Sequence, residues 1–339
     1  MTRKPPRRPA SIREVAERAG VGIASVSRAL SGQGSSARMT ERVGKAAREL
    51  GYTPNVLAQS LRMRATRSIG FVGSDITNPL LAAIVGGAES VLSGAGYSVL
   101  LTNSGGVPGK DAERIELLRQ RQVDGLIILP AVEDDRATLA ALRCAGMPVV
   151  AIDRELPRGL GISYVLSDHY AGVGAAARYL LEGGHRRIGL AVGPDVRPSR
   201  ERLRAVKEQA RAFGAVRGVL VDSGSLSDEH GERAMERILE ASPPVTAVIL
   251  GGNQMLEGAL RAVRRRRLKL GRDLSLVCCD DVPLSRLHDP PIATVMRDTG
   301  LLGQRAAEIL LEQIRMPRAI RPVVLPTWFE RRESCKPLR

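Results

Sequence analysis

The chain has 339 residues and a formal net charge of +15, with 51 Lys and Arg against 36 Asp and Glu. No apolar stretch approaches the roughly 20 residues that a membrane-spanning helix needs, and no apolar run follows Arg7 and Arg8 as an export signal would require. The four cysteines have no metal or redox spacing and suit a reducing compartment, so we expect a cytoplasmic protein without a membrane partner.

The positive charge is concentrated near the N-terminus. Residues 1–68 contain 14 Lys and Arg but 4 Asp and Glu, which accounts for +10 of the +15. Prolines in residues 1–10 predict a disordered basic tail, and solvation alone would explain its charges. Solvation explains Arg28, Arg42 and Arg48 less well, because they lie on predicted helices. Charge of this kind is typical of proteins that neutralise nucleic-acid phosphates.

Two short helices are predicted at the start of this segment. Ser11 and Glu14 have the spacing of a capping box, and Gly20 suits a left-handed turn after the first helix. The second helix runs over 23–30, with an apolar side that faces the first. Its remaining positions point outward: Ile23, Ala24, Ser25, Ser27 and Arg28. This is the pattern of a helix-turn-helix that reads the major groove, although a three-helix bundle without a ligand would give the same spacing.

A third helix and a shorter segment follow. The third is expected to be capped by Thr40 and to run to Leu50, with Gly51 stopping it. Pro54 suits the first position of a further helix of about two turns over 55–62, which is marginal in isolation. Such a segment would be either a helix that orders on DNA or a linker with helical bias.

From residue 69 onward, short apolar runs alternate with amphipathic stretches of ten or more residues. The runs expected to form strands are 69–73, 98–101, 125–129, 149–152, 188–192, 219–221, 247–250 and 274–277. This alternation predicts doubly wound α/β sheets. About 270 residues are too many for one set of layers, so two lobes are expected, with a ligand at the carboxyl ends of the strands.

Over nearly its full length the sequence resembles the LacI/GalR family of transcriptional regulators. The resemblance implies an N-terminal all-α helix-turn-helix domain followed by an α/β two-lobed effector domain like the type I periplasmic binding proteins. The motifs that carry it are EVAERAGVGIASVSRAL, ELGYTPNVLAQSLR, IGFVGSDITNP, RQVDGLIILP, PVVAIDR, YLLEGGHRRIG, GGNQMLEGALRAVR, LSLVCCDDVPLS and VVLPTWFERRES.

The same resemblance implies a division into domains. The expected boundaries are 1–10 for the basic tail, 11–52 for the helix-turn-helix domain, 53–68 for the hinge helix and linker, and 69–339 for the effector domain. Within the effector domain, the N-lobe is expected at about 69–166 and 294–325, and the C-lobe at about 167–293 and 326–339.

Roles in DNA binding follow from the resemblance as well. It places Ile23 and Ala24 at base edges, and Ser25, Ser27 and Arg28 at phosphates and bases. The residues that match the hinge helix, which enters the minor groove, are Asn55, Ala58 and Leu61; Leu61 would be the side chain wedged between base pairs. Two such helices pair across a dimer axis, so a homodimer on a near-palindromic double-stranded operator is implied.

In the effector domain, the resemblance places a small-molecule effector between the lobes, at Ser74, Asp153, Arg202, Leu226, Asn253 and Asp280. Each of these polar side chains would otherwise be explained by a surface or interlobe ion pair. Leu226 stands where relatives commonly have an aromatic residue that stacks on a sugar or base. The resemblance therefore does not decide the chemical class of the effector. It is expected to be a sugar, a sugar acid or another polar metabolite, and Arg202 favours an anionic one.

Catalytic, metal and cofactor sites are not expected. The four histidines are scattered, Cys278 and Cys279 are adjacent without a second pair, and Asp280-Asp281 has no accompanying cluster. We therefore expect a regulator, most simply a repressor, that is not an enzyme and has no cofactor or metal. The alternatives are a cytoplasmic metabolite-binding protein or enzyme with an unrelated helical head, and a DNA-binding regulator without effector control.

Overall fold

The computed structural model describes residues 10–30, 35–52, 65–316 and 322–338. The chain divides into two compact units, residues 1–66 and 67–339. We call the first unit the head and the second the effector domain. Among the described residues, no helix combines the length and the apolar character that crossing a bilayer would require.

The described part of the head contains three helices, α1 (Ile12–Ala19), α2 (Ile23–Leu30) and α3 (Ala37–Leu50). The predicted capping box is present, since the Ser11 amide donates to Glu14 Oε2 at 2.5 Å and the Glu14 amide donates to Ser11 Oγ at 3.4 Å. Gly20 ends α1 at φ 61°. The three helices meet around fully buried valines, Val15, Val26 and Val43.

The prediction that Thr40 caps the third helix is wrong. Ser36 is the cap, with its hydroxyl accepting from the Met39 amide at 3.3 Å, and α3 starts at Ala37. The Thr40 hydroxyl instead lies 2.6 Å from that of Ser35. The sequence offers several cap-forming side chains here, and the helix extends to the earlier one because Ala, Arg and Met are good helix formers.

The effector domain alternates strands and helices. Its strands are β1 (Ser68–Gly73), β2 (Ser98–Asn103), β3 (Gly125–Ile128), β4 (Val149–Ile152), β5 (Ser163–Ser167), β6 (Ile188–Val192), β7 (Val219–Ser223), β8 (Ala247–Leu250), β9 (Ser275–Cys279), β10 (Ala293–Arg297), β11 (Pro322–Leu325) and β12 (Thr327–Glu330). Its helices are α4 (Pro79–Gly94), α5 (Lys110–Gln120), α6 (Arg136–Arg143), α7 (His169–Glu182), α8 (Arg197–Ala212), α9 (Asp228–Leu239), α10 (Leu256–Arg265), α11 (Pro283–Leu287) and α12 (Thr299–Arg315).

These strands form two six-stranded sheets, in the orders β11-β5-β4-β3-β1-β2 and β12-β10-β9-β8-β6-β7. The pairing is parallel in both sheets except between β10 and β12. Each sheet is the centre of one lobe, which confirms the predicted two-lobed α/β architecture. Helices α4 and α12 pack against the first sheet around Phe71, Ile127 and Leu310, and α7 and α8 pack against the second around Leu190, Ala205 and Val295.

All eight predicted strand runs lie in strands, with ends shifted by a few residues, whereas β5, β10, β11 and β12 were not predicted. The unpredicted β10 also moves a lobe boundary. Its residues pair with β9 in the second sheet, so the chain returns to the N-lobe after Arg297 and not at the expected 293/294 boundary. This placement brings the last residue of β10 to the space between the lobes.

Candidate DNA-binding face and effector cleft

Helix α2 presents a mixed polar and apolar face on the outside of the head. Val26 and Ala29 are buried against the other helices, whereas Ile23 is 40% exposed. The other predicted DNA contacts on this helix, Ala24, Ser25, Ser27 and Arg28, are exposed or half-buried. The start of α2 is held by the Gly22 carbonyl, which accepts from the Val26 amide at 3.1 Å. The predicted hinge contacts Asn55, Ala58 and Leu61 lie outside the described residues.

The structure brings the six predicted effector contacts together around one cavity of about 70 Å³ between the two lobes. They are Ser74, Asp153, Arg202, Leu226, Asn253 and Asp280. Ser74, Asp153 and Asp280 each follow the last residue of a strand, β1, β4 and β9 respectively. The carboxyl ends of parallel strands in both lobes therefore supply the cavity wall, as expected for doubly wound sheets.

The two carboxylates of the cleft occupy equivalent places in the two lobes. Asp153 and Asp280 both have left-handed backbone, at φ 51° and 72°. Each amide donates to the neighbouring strand, Asp153 to the Val165 carbonyl and Asp280 to the Val295 carbonyl, both at 2.9 Å. Left-handed backbone is disfavoured for most residues but is tolerated by Asp. Such strain often marks a functional site.

Arg297, at the end of β10, joins these two carboxylates across the cleft. Its Nε donates to Asp280 Oδ1 at 2.6 Å and its Nη2 to Asp280 Oδ2 at 3.3 Å. Its Nη1 donates to Asp153 Oδ2 and, at 3.2 Å, to Ser167 Oγ. Burial opposes the charged form, but the two carboxylates outweigh it and raise the pKa of Arg297. One guanidinium thus ties the N-lobe to the C-lobe.

His169, at the start of α7, lies between Asp153 and Arg202. Its Nδ1 is 3.2 Å from Arg202 Nη2, and its Nε2 is 3.5 Å from Asp153 Oδ1. Burial and the nearby Arg202 charge lower the pKa of His169 to about 4. Burial alone would raise the pKa of Asp153, but the charge of Arg297 and the hydrogen bond from the Ser167 amide hold it well below its usual value. At neutral pH, His169 is therefore neutral and Asp153 is ionised.

Three further polar side chains in the wall have an atom without a protein partner. Arg202 donates through Nη1 to the Gly251 carbonyl at 2.5 Å, and Arg154 donates through Nη1 to the Asp153 carbonyl at 2.9 Å. The Nε atoms of both arginines are buried and unpartnered. Asn253 donates to Asn78 Oδ1 at 3.1 Å across the cleft, while its own Oδ1 is unpartnered.

Leu226 gives the C-lobe side of the cavity an apolar surface. A Cβ added at Gly193 or at Gly252 would lie 2.7 Å from the Leu226 side chain. The leucine therefore packs directly on the backbone of both glycines, which fixes its position. This chain thus has an aliphatic side chain where an aromatic ring is common in relatives.

Known regulators share this architecture. A family model described as bacterial regulatory proteins, lacI family, matches residues 11–55, and a model of the periplasmic binding protein-like domain matches residues 177–335. The transcriptional repressor CytR of Escherichia coli K12 is 31% identical over 313 residues, covering 90% of each chain. The repressor PurR of Pectobacterium carotovorum is 33% identical over 329 residues, covering 95% of this chain and 96% of PurR. The chain belongs to the LacI family.

Solved structures of LacI-family regulators agree over nearly the whole chain. The lac repressor dimer bound to operator and the anti-inducer ONPF has a TM-score of 0.85 at 27% identity, covering 96% of this chain and 99% of the repressor. The complex of the regulator CelR with cellobiose has a TM-score of 0.73 at 31% identity, covering 97% of this chain and all of CelR. Both the head and the two-lobed domain of this chain therefore have counterparts in transcriptional regulators.

For this LacI-family regulator, sequence reasoning missed three cleft residues: Arg297, Arg154 and His169. Arg297 was missed because β10 was not predicted, so nothing indicated that position 297 ends a strand. Arg154 follows Asp153 in the motif that carried the resemblance, and His169 precedes a predicted helix. A search for charged residues within two positions after each predicted strand would have found Arg154.

Proposed function

We propose that this regulator binds a near-palindromic DNA operator as a homodimer and that a small molecule bound between the lobes controls its affinity for DNA. The observation that carries the proposal is the convergence of buried polar side chains from both lobes on one cavity, in a chain whose head exposes α2. We further propose that it acts in the cytoplasm, where DNA is accessible, and that its role is regulation and not catalysis.

DNA recognition is assigned to the exposed face of α2. In this proposal, Ile23 and Ala24 contact thymine methyl groups, and Arg28 and the two serines bind phosphates or base edges. Ile23 is 40% exposed, so its side chain is accessible for such a contact. For the segment that holds Leu61, we retain the proposal of a hinge helix whose leucine wedges between base pairs.

Dimerisation is assigned to apolar side chains exposed on both lobes. Leu287 of α11 is 84% exposed, and Leu284 of the same helix is exposed as well. Leu100 and Leu101 are exposed on β2, the edge strand of the first sheet. Exposed clusters of large apolar residues usually mark interaction surfaces. The occupant is assigned as a second copy of this chain, because the lac repressor structure that it matches is a dimer.

The effector is assigned to the interlobe cavity and not to a larger groove. A groove of about 760 Å³ lies on the C-lobe between α10 and α11, with apolar walls and a rim of arginines. Its polar groups are exposed or half-buried. The interlobe cavity is smaller, but its buried Arg202, Arg154 and Asn253 have polar atoms without a protein partner, and a polar ligand would complete their hydrogen bonding. A ligand there contacts both lobes and can therefore alter how they are oriented.

The proposal is tested by selecting duplexes from a random-sequence library with the full-length protein at moderate salt. We expect the enriched duplexes to contain two inverted half-sites, and we expect Arg28→Ala to weaken binding to them at least about tenfold through lost phosphate or base contacts. Arg217→Ala, which removes an exposed charge from the C-lobe, is the matched control and should bind like the parent.

Enrichment of no sequence over random competitor, with the protein folded and dimeric, would contradict the proposed function. Enrichment of a single half-site without inverted symmetry would contradict the dimeric mode of binding.

A further inference from the structure

Arg297 changes what the effector cavity can recognise. It donates to Asp153 Oδ2 and to both oxygens of Asp280, and the Ser167 amide donates to Asp153 Oδ1 at 2.8 Å. All four carboxylate oxygens are therefore hydrogen-bonded within the protein. Hydroxyl groups of a neutral ligand would have to share these acceptors with Arg297 and the Ser167 amide.

The groups left to bind a ligand are mainly donors. Arg154 and Arg202 are 7% and 4% exposed, and each has an unpartnered Nε. Within the part of the chain that the structure describes, neither guanidinium forms an ion pair with a carboxylate. A buried guanidinium that has no carboxylate in direct contact is stabilised by an anion beside it, so both arginines favour an anion in the cavity. Asn253 Oδ1 is the one unpartnered acceptor identified in the described cavity wall.

The charge of the wall points the same way. Its ionised groups are Arg154, Arg202 and Arg297 against Asp153 and Asp280, which leaves a net charge of +1. His169 adds no charge at neutral pH, as described above. A cavity of about 70 Å³ has room for a compact group of a few heavy atoms, such as a carboxylate or a phosphoryl group.

The rest of an effector has a separate space. A groove of about 450 Å³ shares Asn78, Leu226, Asn253 and Gln254 with the cavity. The hydrogen bond between Asn78 and Asn253 lies where the two spaces meet. A metabolite could therefore place its anionic group in the inner cavity and its remaining atoms in this outer groove, where Leu226 and Pro79 supply apolar contacts.

We propose that the effector is an anionic metabolite whose charged group binds Arg154 and Arg202, and that Arg297 sets this preference by neutralising Asp153 and Asp280. The inference rests on the proposed function, because it identifies the chemical class of the ligand that the cleft would bind. Arg297 is a specificity-determining residue here, since it acts on the ligand through the two carboxylates.

The test uses inorganic phosphate and acetate as probes of the inner cavity. The melting temperature of the full-length dimer is measured against probe concentration, with sodium chloride keeping the ionic strength constant. We expect at least one of the two anions to raise the melting temperature. Phosphate alone would indicate a phosphoryl ligand, and acetate a carboxylate ligand. The matched control, Arg217→Gln, should respond like the parent.

Two variants address the buried arginines. Arg202→Gln should weaken anion binding about tenfold or more, the loss expected for a charge-assisted hydrogen bond in a buried site. Arg202→Lys keeps the charge but loses the planar donor group, so it should give an intermediate effect if the glutamine variant fails to fold. No anion-dependent shift in the parent, or an equal shift in parent and both variants, would overturn the proposal.

Arg297→Gln tests the specificity claim. Releasing Asp153 and Asp280 makes the net charge of the wall zero and frees carboxylate acceptors, so the variant should lose response to the anions and gain response to a neutral polyol such as ribitol. An unchanged anion response in folded Arg297→Gln would overturn the role of Arg297. Operator binding is measured in parallel: anion binding without sequence-specific DNA binding would reject the proposed function alone, and the reverse result would reject this inference alone.

Discussion

At the scale of single residues, the cleft is defined by buried charges whose states differ with their neighbours. Asp153 keeps its charge because Arg297 lies against it, whereas His169 is neutral because burial and Arg202 disfavour a second cation. Two titratable side chains in contact with the same cavity therefore have pKa values displaced in the same direction for different reasons. The displaced pKa of His169 has a measurable consequence for stability.

We predict that His169 makes the protein less stable as pH falls from about 6.5 to about 4. In this range the unfolded chain binds a proton at His169 and the folded chain does not, so acidification favours unfolding. A pKa displaced from 6.5 to about 4 corresponds to about 3 kcal/mol. His169→Gln cannot take up that proton, so its free energy of unfolding should fall less over this range.

The measurement is the midpoint of urea unfolding at a series of pH values. His185 and His230 are also buried with lowered pKa values, so the variant should retain part of the acid sensitivity. If parent and variant lose the same free energy of unfolding between pH 6.5 and 4, His169 is protonated in the folded protein and the assignment is wrong.

At the scale of elements, glycines allow the closest helix contact of the N-lobe. Helices α4 and α12 approach so closely that a Cβ at Gly303 would lie 1.9 Å from the Ile84 carbonyl oxygen, and one at Gly87 would lie 2.1 Å from that of Gly300. A backbone carbonyl oxygen cannot move aside as the end of a flexible side chain can. The two helices can therefore approach this closely only because Gly87 and Gly303 have no side chain.

We predict opposite effects for two Gly→Ala substitutions in these helices. Gly303→Ala should lower the free energy of unfolding by about 1–3 kcal/mol, because α12 must move away from α4. Gly86→Ala is the control: it is exposed and a Cβ there meets nothing within 4 Å. It should raise stability by about 0.5–1 kcal/mol through helix propensity. Equal effects of the two changes in chemical unfolding would contradict the packing described here.

The strands of the effector domain differ in how clearly the sequence predicts them. Strands such as 149–152 and 247–250 are buried on both faces, so they appear as continuous apolar runs and were predicted. Strand β11 is an edge strand of four residues whose short apolar run begins at Pro322, and proline is unusual inside a strand. Strand β10 has Thr294 within it and ends in partly exposed Met296 and Arg297, so its apolar run is interrupted. The cleft acids were found from motifs, whereas the function of Arg297 depends on strand pairing that a local pattern does not encode.

At the scale of the whole molecule, polar contacts connect the two lobes. Besides Arg297, Glu133 of the N-lobe accepts from the Arg197 amide at 3.0 Å and from Arg200 Nη2 at 2.6 Å. These bonds join the segment after β3 to the first turn of α8. A ligand that inserts between the lobes must accommodate or replace such contacts, which gives its binding a means of changing their orientation.

The last prediction tests whether Leu287 lies in the proposed dimer interface. Placing a lysine at this position would bury an unpaired charge in an apolar interface, at a cost of several kcal/mol. Leu287→Lys should therefore sediment as a monomer at micromolar concentration. It should also bind the selected operator about 100-fold or more weakly than the parent, because two heads held together gain effective concentration that separate heads lack.

The matched control is Val216→Lys, which adds the same charge at an exposed apolar residue of the C-lobe outside the proposed interface. It should remain dimeric and bind the operator like the parent. A duplex with one half-site separates the effects further: Leu287→Lys should bind it as well as the parent does, since each head is unchanged. A dimeric Leu287→Lys with full operator affinity would place the interface elsewhere, and a dimeric variant with weak affinity for the half-site would indicate that the substitution damages the head itself.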